Sequence, residues 1–249
     1  MRIILKSPNE LQKMRASGLL VHQLLEQLRE RVKPGVTTLD LETFAARKIS
    51  EAGAKPAFKG YRGFPAVLCT SVNNEIIHGI PSARRVLREG DILKIDTGVI
   101  LDGYYGDSAT TIPVGKISPP IQALMDVTLA SLWEGIKQAQ VGGHLYDICG
   151  TIQDYVESRG YSVVKEFVGH GVGRKLHEDP SVPNYRSGPN PRLKEGMVLA
   201  IEPMVNQGKA DTKVLADKWT AVAVDGRCSA HFEHTVALLK EGPWVLTQP

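Results

Sequence analysis

Long apolar runs are missing from this sequence: no stretch of 18 apolar residues occurs, so nothing in it is built as a membrane span. At the start only Ile3, Ile4 and Leu5 stand together, far short of the apolar centre of a secretory signal. Cysteine is scarce. Cys69, Cys149 and Cys228 are an odd number with no C-x-x-C spacing, which fits reduced thiols in a cytoplasm better than a disulfide frame. No five like charges run together, and 30 basic against 27 acidic residues leave a net charge of only +3. That is too weak a field to recruit nucleic acid or a membrane surface. No heptad or broad apolar stripe asks for a second copy, so a monomer is expected. What remains is an ordinary globular balance, 42% hydrophobic over 249 residues, long enough to bury a sizeable core.

What the chain does contain is a repeat. Residues 87–96 read Leu87-Arg88-Glu89-Gly90-Asp91-Ile92-Leu93-Lys94-Ile95-Asp96, and residues 193–202 read Leu193-Lys194-Glu195-Gly196-Met197-Val198-Leu199-Ala200-Ile201-Glu202. Both pass without a gap from a glycine break through an aliphatic run to a carboxylate, as a strand delivering an acid would. The repeat implies two pseudo-two-fold related halves, about 1–115 and 116–249, within one domain spanning 1–249, and with helices and strands in each half the fold class is α/β (α+β). The two acids then approach each other across the pseudo-axis.

Each half follows one recipe, two helices and then sheet. Ser7-Pro8-Asn9-Glu10 is a capping box with proline at the first helical position, and Lys33-Pro34-Gly35 stops the helix. A second helix follows Thr37-Thr38, with Leu39, Leu41, Phe44, Ala45 and Ile49 facing inward. A loop rich in aromatics and glycine over 54–65 leads to a buried strand at 66–71. In the second half, helices are expected from Ser118 to about Gln140 and from His144 to Ser158. A strand follows at 163–168, then a loop rich in Pro and Asn from Glu178 to Arg192. A last hairpin of 218–224 with 229–239 would turn at Asp225-Gly226 and carry Glu233 inside its second strand.

At Asp102-Gly103 spacing becomes geometry, because Asp-Gly between two strands specifies a two-residue turn. Leu101 then faces Tyr104 and Gly98 faces Asp107. Asp96 shares the face of Gly98, so Asp96 and Asp107 become diagonal neighbours with backbones roughly 7–8 Å apart. With Glu202 and Glu233 they make four carboxylates at strand positions with apolar neighbours. Burying four negative charges together is prohibitive unless protons or cations neutralise them. Two divalent ions would balance them, and His170, between Gly169 and Gly171, would add a nitrogen. Four oxygens, one nitrogen and no thiolate favour Mn, Fe(II), Co or Zn and the chemistry of hydrolysis.

At this point the residues resemble a known family. Phe167-Val168-Gly169-His170-Gly171-Val172-Gly173 with His177 beyond it, then Val182-Pro183-Asn184-Tyr185, looks like the signature of the type I methionine aminopeptidases. Asp96, Asp107, His170, Glu202-Pro203 and Phe232-Glu233-His234-Thr235 stand in that family's order along nearly the whole chain. The resemblance implies the pita-bread fold, helices outside a central antiparallel sheet, around a dinuclear site. It implies that Asp96 chelates one ion, that His170 and Glu202 hold the other, and that Asp107 and Glu233 bridge them. His177 would reach the scissile carbonyl, His78 the amide beyond it, and Glu202 would shuttle a proton. Tyr61, Phe64, Cys69, His78, Leu176 and Trp219 would line a methionine slot. Asn73 and Ser229 match positions that hold a monovalent cation in some relatives. The family removes the N-terminal methionine of nascent polypeptides when the next residue is small.

Three positions depart from the family pattern: Leu176 often has an aromatic counterpart, Phe58 a cysteine, and Gly98 a hydroxyl residue. Rival readings fit less well. Xaa-Pro peptidases of the same fold usually carry an amino-terminal domain, for which the residues before Ser7 leave no room. Type II methionine aminopeptidases insert a helical subdomain between the histidine and glutamate ligands, and the span from His170 to Glu202 is too short for one. A non-catalytic relative would have lost ligands, and all five are here. A hydrolase of small non-peptide amides would keep the ligands without needing the Tyr61, Phe64 and Trp219 slot. A transient ribosome contact would have to use the basic surface, since no zinc-finger cysteines precede the domain.

Overall fold

The structure, a computed structural model, describes residues 2–249. Helix α1 (Pro8–Arg29) starts where the capping box puts it: the Glu10 amide donates to Ser7 Oγ and the Ser7 amide to Glu10 Oε2. Leu11, Met14, Val21, Leu24, Leu25 and Leu28 form its buried stripe. At Gly18 a Cβ would lie 2.3 Å from the Leu246 carbonyl, so only glycine lets the carboxy-terminal segment cross there. The helix ends at Arg29, before the Lys33-Pro34-Gly35 stop is reached. Helix α2 (Thr38–Glu51) has a second capping box, Thr37 with Asp40. Leu39, expected inward, is 41% exposed, because Leu41, Ala45 and Ile49 define the buried face and position 39 lies across the helix from it.

The first half continues with β1 (Lys55–Pro56), β2 (Leu68–Val72), β3 (Glu75–Ile77), β4 (Ile92–Leu101) and β5 (Tyr104–Pro113). The β4–β5 hairpin turns at Asp102 and Gly103, both left-handed at φ 51° and 79°. Its register is unbroken from Ile92 opposite Pro113 to Leu101 opposite Tyr104, and Gly98 faces Asp107 as the turn requires. Antiparallel β2 pairs along β4 from the other side, with Cys69 opposite Asp96.

In the second half, α3 (Pro119–Lys137) and α4 (Leu145–Glu157) precede β6 (Ser162–Val163), β7 (Gly169–Gly171), β8 (Glu178–Val182), β9 (Val198–Ile201) and β10 (Met204–Asn206). After these come β11 (Thr212–Val214), β12 (Ala221–Ala223), β13 (Ser229–His231), β14 (His234–Leu239) and β15 (Gly242–Val245). Antiparallel pairing orders one sheet as β15-β14-β9-β7-β8. Three expectations need correction. The strand foreseen at 163–168 is only Ser162–Val163, because Lys165 and Glu166 bend out to solvent. The segment expected as loop from Glu178 begins as β8, where Pro180 and Val182 alternate inward between exposed Asp179 and Ser181. The last hairpin does not form: β12 has both edges taken, by β11 and β3, so β13 pairs with β10 instead. Glu233 consequently sits at the break between β13 and β14, outside both strands.

The two repeat copies do correspond. Gly90 and Gly196, left-handed at φ 90° and 81°, turn the chain into β4 and β9. The β9 strand stops at Ile201 because Pro203 has no amide to continue the ladder. The halves are fastened along β5: Glu233 N donates to Ala109 O at 2.9 Å, Ser108 Oγ to Glu233 O at 2.6 Å, and Thr235 Oγ1 to Asp107 O at 2.8 Å.

Candidate active site

Two hairpin-like pairs deliver the acids. The unbulged β4–β5 register puts Asp96 opposite Ala109 and Asp107 opposite Gly98, diagonal to each other on one face. In the other half Ile201 faces His234, so Glu202 and Glu233 are the next residues outward on facing segments. Glu233 is held by its backbone on β5, and the Glu202 carbonyl accepts from Asn184 Nδ2 at 3.1 Å. His170 occupies the middle of β7, between β8 and β9. Its flanking glycines are required by packing: a Cβ on Gly169 would stand 2.3 Å from Ala200 O, and one on Gly171 2.3 Å from Asp179 O. The neighbouring strands press on these glycines from both sides.

His170 Nδ1 lies 2.9 Å from Gly171 O, the partner that fixes its proton there and turns the Nε2 lone pair toward the acids. Nε2 is 3.7 Å from Asp107 Oδ2 and 3.7 Å from Glu202 Oε1. One ligand atom each from Asp107, His170 and Glu233 lie within 4.8 Å of one another, a spacing that suits a single metal ion. Asp107 and Glu233 are 3% and 2% exposed. Burial drives the carboxyls of Asp96, Glu202 and Glu233 well above the usual carboxylate range, and their mutual repulsion adds to it. Asp107 is pushed up to about 7, mainly by burial, and His170 is pushed down to about 3, by burial and then by His177. Buried Asp96 Oδ1, Asp107 Oδ1 and Glu233 Oε1 have no hydrogen-bond partner among the described residues. Unpartnered oxygens around an imidazole nitrogen fit a divalent cation far better than a closed polar network. His231, to which sequence assigns no role, is also here. It is 1% exposed, with Nε2 3.5 Å from Glu202 Oε2 and both ring nitrogens otherwise unpartnered among the described residues. Its only sequence signal is its position two residues before Glu233.

A pocket opens onto this cluster. Tyr61, Phe64, Cys69, His78, Leu176, His177 and Trp219 all line it, with Asp96, Asp107, His170, Glu202 and Glu233 at the same cavity. Phe64 meets Trp219 edge to face at 5.1 Å. His78, left-handed at φ 59°, is wedged edge-on between Phe167 and Trp219. His177 stacks on Tyr61, with Nδ1 2.8 Å from the phenol oxygen, and its ring centre is 4.1 Å from that of His170. Two lining residues, Phe58 and Arg62, stand outside the slot that the resemblance implies. The Phe58 ring and Gly98 are complementary: a Cβ on Gly98 would lie 3.1 Å from Phe58 Cε1 and 3.0 Å from Ala57 Cβ. Two departures from the family pattern therefore meet in space, the added ring filling room that a side chain at 98 would need. At Asn73 and Ser229, where a monovalent cation is expected, the carbonyl oxygens of both residues accept from Lys94 Nζ.

An apolar slot that closes on buried, unpartnered carboxylates and an imidazole defines a metal-dependent hydrolase. Comparison with known proteins agrees: a model of metallopeptidase family M24 matches residues 12–240, and the chain belongs to that family. Within it, the chain stands among the methionine aminopeptidases. It is 51% identical over 246 residues to the methionine aminopeptidase of Clostridium acetobutylicum, covering 98% of each, and 52% identical over 248 residues to methionine aminopeptidase 1 of Bacillus subtilis, covering 99% of each. Its fold superposes on the crystal structure of methionine aminopeptidase from Thermotoga maritima with a TM-score of 0.97 at 43% identity, covering both chains completely. The pita-bread architecture is thus the fold of this chain. Among the described residues no helix is long and apolar enough to cross a membrane.

Proposed function

We propose that the protein removes the N-terminal methionine from peptides and nascent polypeptides, preferring a small second residue. The observation that carries this is the apolar slot ending at three buried acids, half-buried Asp96 and buried His170. Asp96, Asp107, His170, Glu202 and Glu233 are the residues that would hold divalent metal, two ions in this reading. Co, Mn, Fe(II) and Zn all suit that donor set. When bound, such ions supply an acidified water and polarise a carbonyl.

The chain's own residues do the rest. Phe64, Leu176, Trp219, Tyr61 and Cys69 enclose an apolar, unbranched side chain, and the carboxylates beside them favour a free α-amino group, which an internal peptide bond lacks. His177, held at Nδ1 by Tyr61, presents its other nitrogen to the scissile carbonyl oxygen. His78 faces the amide that follows. Burial and then His177 push the His78 pKa down to about 4, so at neutral pH His78 acts as a neutral hydrogen-bonding group. Glu202 moves a proton from water to the leaving amine, a task suited to a carboxyl that burial has made more basic. The whole of 1–249 works as one catalytic unit whose halves, about 1–115 and 116–249, each contribute acids. We place its action in the cytoplasm as a monomer on chains leaving the ribosome, a setting that the three unpaired cysteines suit.

The test is hydrolysis of Met-Gly-Met-Met, of a Leu-initiated peptide and of a Gly-Pro peptide by metal-stripped protein to which Mn, Co, Fe(II) or Zn is returned. Metal-dependent release of methionine alone is expected. Folded protein that releases nothing with any ion would overturn the proposal, and turnover of the Gly-Pro peptide would move it to an Xaa-Pro peptidase.

A further inference from the structure

Lys94 is a long cationic side chain buried where the fold gives it no carboxylate partner. It is 1% exposed, lies on β4 two residues before Asp96, and is among the largest fully buried side chains of the molecule. Its Nζ donates to two main-chain oxygens, Asn73 O at 2.6 Å and Ser229 O at 2.9 Å. These carbonyls come from opposite halves. Asn73 is the left-handed residue, φ 52°, at the turn from β2 to β3, and Ser229 opens β13. The Ser229 amide donates to the same Asn73 oxygen at 3.0 Å, which brings the two carbonyls together.

The turn is locked so that its carbonyl points inward. Asn73 Nδ2 donates to Asp91 Oδ1 at 2.7 Å, and the Ile92 amide donates to Asn73 Oδ1 at 3.0 Å. Neutral main-chain oxygens converging on one buried amine are the donor set of an alkali-ion site; burial pushes Lys94 down to about 7, with Cys228, Glu75 and Asp91 favouring its charged form. A carbonyl cradle that holds an ammonium has no room for a second cation, since two unit charges on the same oxygens repel strongly in a dry interior. The monovalent ion that some relatives carry at the matching positions does not fit this chain.

We propose that the Lys94 ammonium replaces that ion as a covalently attached monovalent cation. It fastens the Asn73 turn to Ser229, and so holds β13 and the segment leading to Glu233 against the first half with no need of Na⁺ or K⁺. Lys94 is thus a positioning residue, acting through Ser229 and the chain that follows it.

Thermal unfolding of the full-length protein in equal concentrations of NaCl, KCl and choline chloride tests this. The readout is stability, so it stands or falls separately from methionine release. The native protein is expected to unfold at one midpoint in all three salts. Lys94→Ser, which removes the ammonium and opens the cradle, should lose several degrees in choline chloride and recover most of the loss in NaCl or KCl. Lys94→Met, which keeps the bulk without the charge, should be lowered in every salt and not recover. A native midpoint that depends on Na⁺ or K⁺, or a Lys94→Ser midpoint indifferent to them, would overturn the proposal. If neither variant folds, thallium(I) diffused into crystals of the native protein decides it: no thallium between Asn73 and Ser229 supports the replacement, and thallium bound there refutes it.

Discussion

Asp107→Asn and Glu233→Gln keep the shape of each side chain and remove the charge through which, in the proposed site, it would bridge two cations. Both residues are buried and hold unpartnered oxygens, so each variant should lose turnover by roughly 100-fold or more, the scale of losing one preorganised electrostatic contact in a dry site. Bound metal, measured by elemental analysis, should fall below that of the native protein while the far-ultraviolet circular dichroism is unchanged. Full activity in either variant would remove the dinuclear assignment. His177→Ala should behave differently. His177 reaches the cluster only by packing on His170, so kcat should drop by roughly 10²–10³-fold with metal content intact. Loss of metal in that variant would instead place His177 among the ligands. At this scale the sequence was readable wherever a residue's neighbours were local. Asp96 and Asp107 could be paired from a turn, but His231 could not be brought to Glu202, because no local rule connects β13 to the end of β9. Arg62 entered the pocket wall unannounced for the same reason: its place depends on how one glycine-rich loop folds over a distant strand, whereas Phe58 had been marked as a position that bears on the pocket's shape.

Among the elements, β7 is the most tightly constrained. A methyl group on Gly169 meets the Ala200 carbonyl, and one on Gly171 meets that of Asp179, so neither neighbouring strand can retreat without moving His170. Gly169→Ala should cost about 1–3 kcal/mol by overpacking, read as a lowered unfolding midpoint, and should weaken metal retention as well. An equally stable variant with full metal would show that β7 has slack. The β4–β5 hairpin was legible because Asp-Gly turn chemistry sets register within a few residues, and it held over ten pairs without a bulge. The capping boxes of α1 and α2 were legible for the same local reason. The pairing of β12 and β13 was not. Asp225-Gly226 does turn the chain, but which strand lies beside which was decided partly by β3, more than a hundred residues away, which takes the β12 edge. β8 was hidden by its composition, since only Pro180 and Val182 in Glu178–Val182 are buried.

At the scale of the whole molecule, charge and metal are linked through pH. Asp107 is raised to about 7 in the fold, and Asp96, Glu202 and Glu233 are raised as well. A group raised on folding stabilises the metal-free protein below its unfolded pKa, near 4 for a carboxylate, and that contribution is lost as pH climbs through the folded value. Divalent ions must displace these protons, so the rise in unfolding midpoint on adding Mn²⁺ should be larger at about pH 8 than at about pH 5. An equal rise at both would mean that the ions bind somewhere other than this cluster. The bonds that fasten Glu233 to Ala109 and Ser108 carry a further consequence, one of chronology. During synthesis Asp96 and Asp107 leave the ribosome long before Glu233, and a strand edge along β5 waits for its complement throughout that interval. Until Glu233 and its neighbours arrive, Asp96 and Asp107 lack the acids and the backbone bonds that complete their surroundings. In the proposed site, full metal capture would wait until Glu233 is in place, and a chain stalled before residue 233 would lack one of the acids that hold the metal.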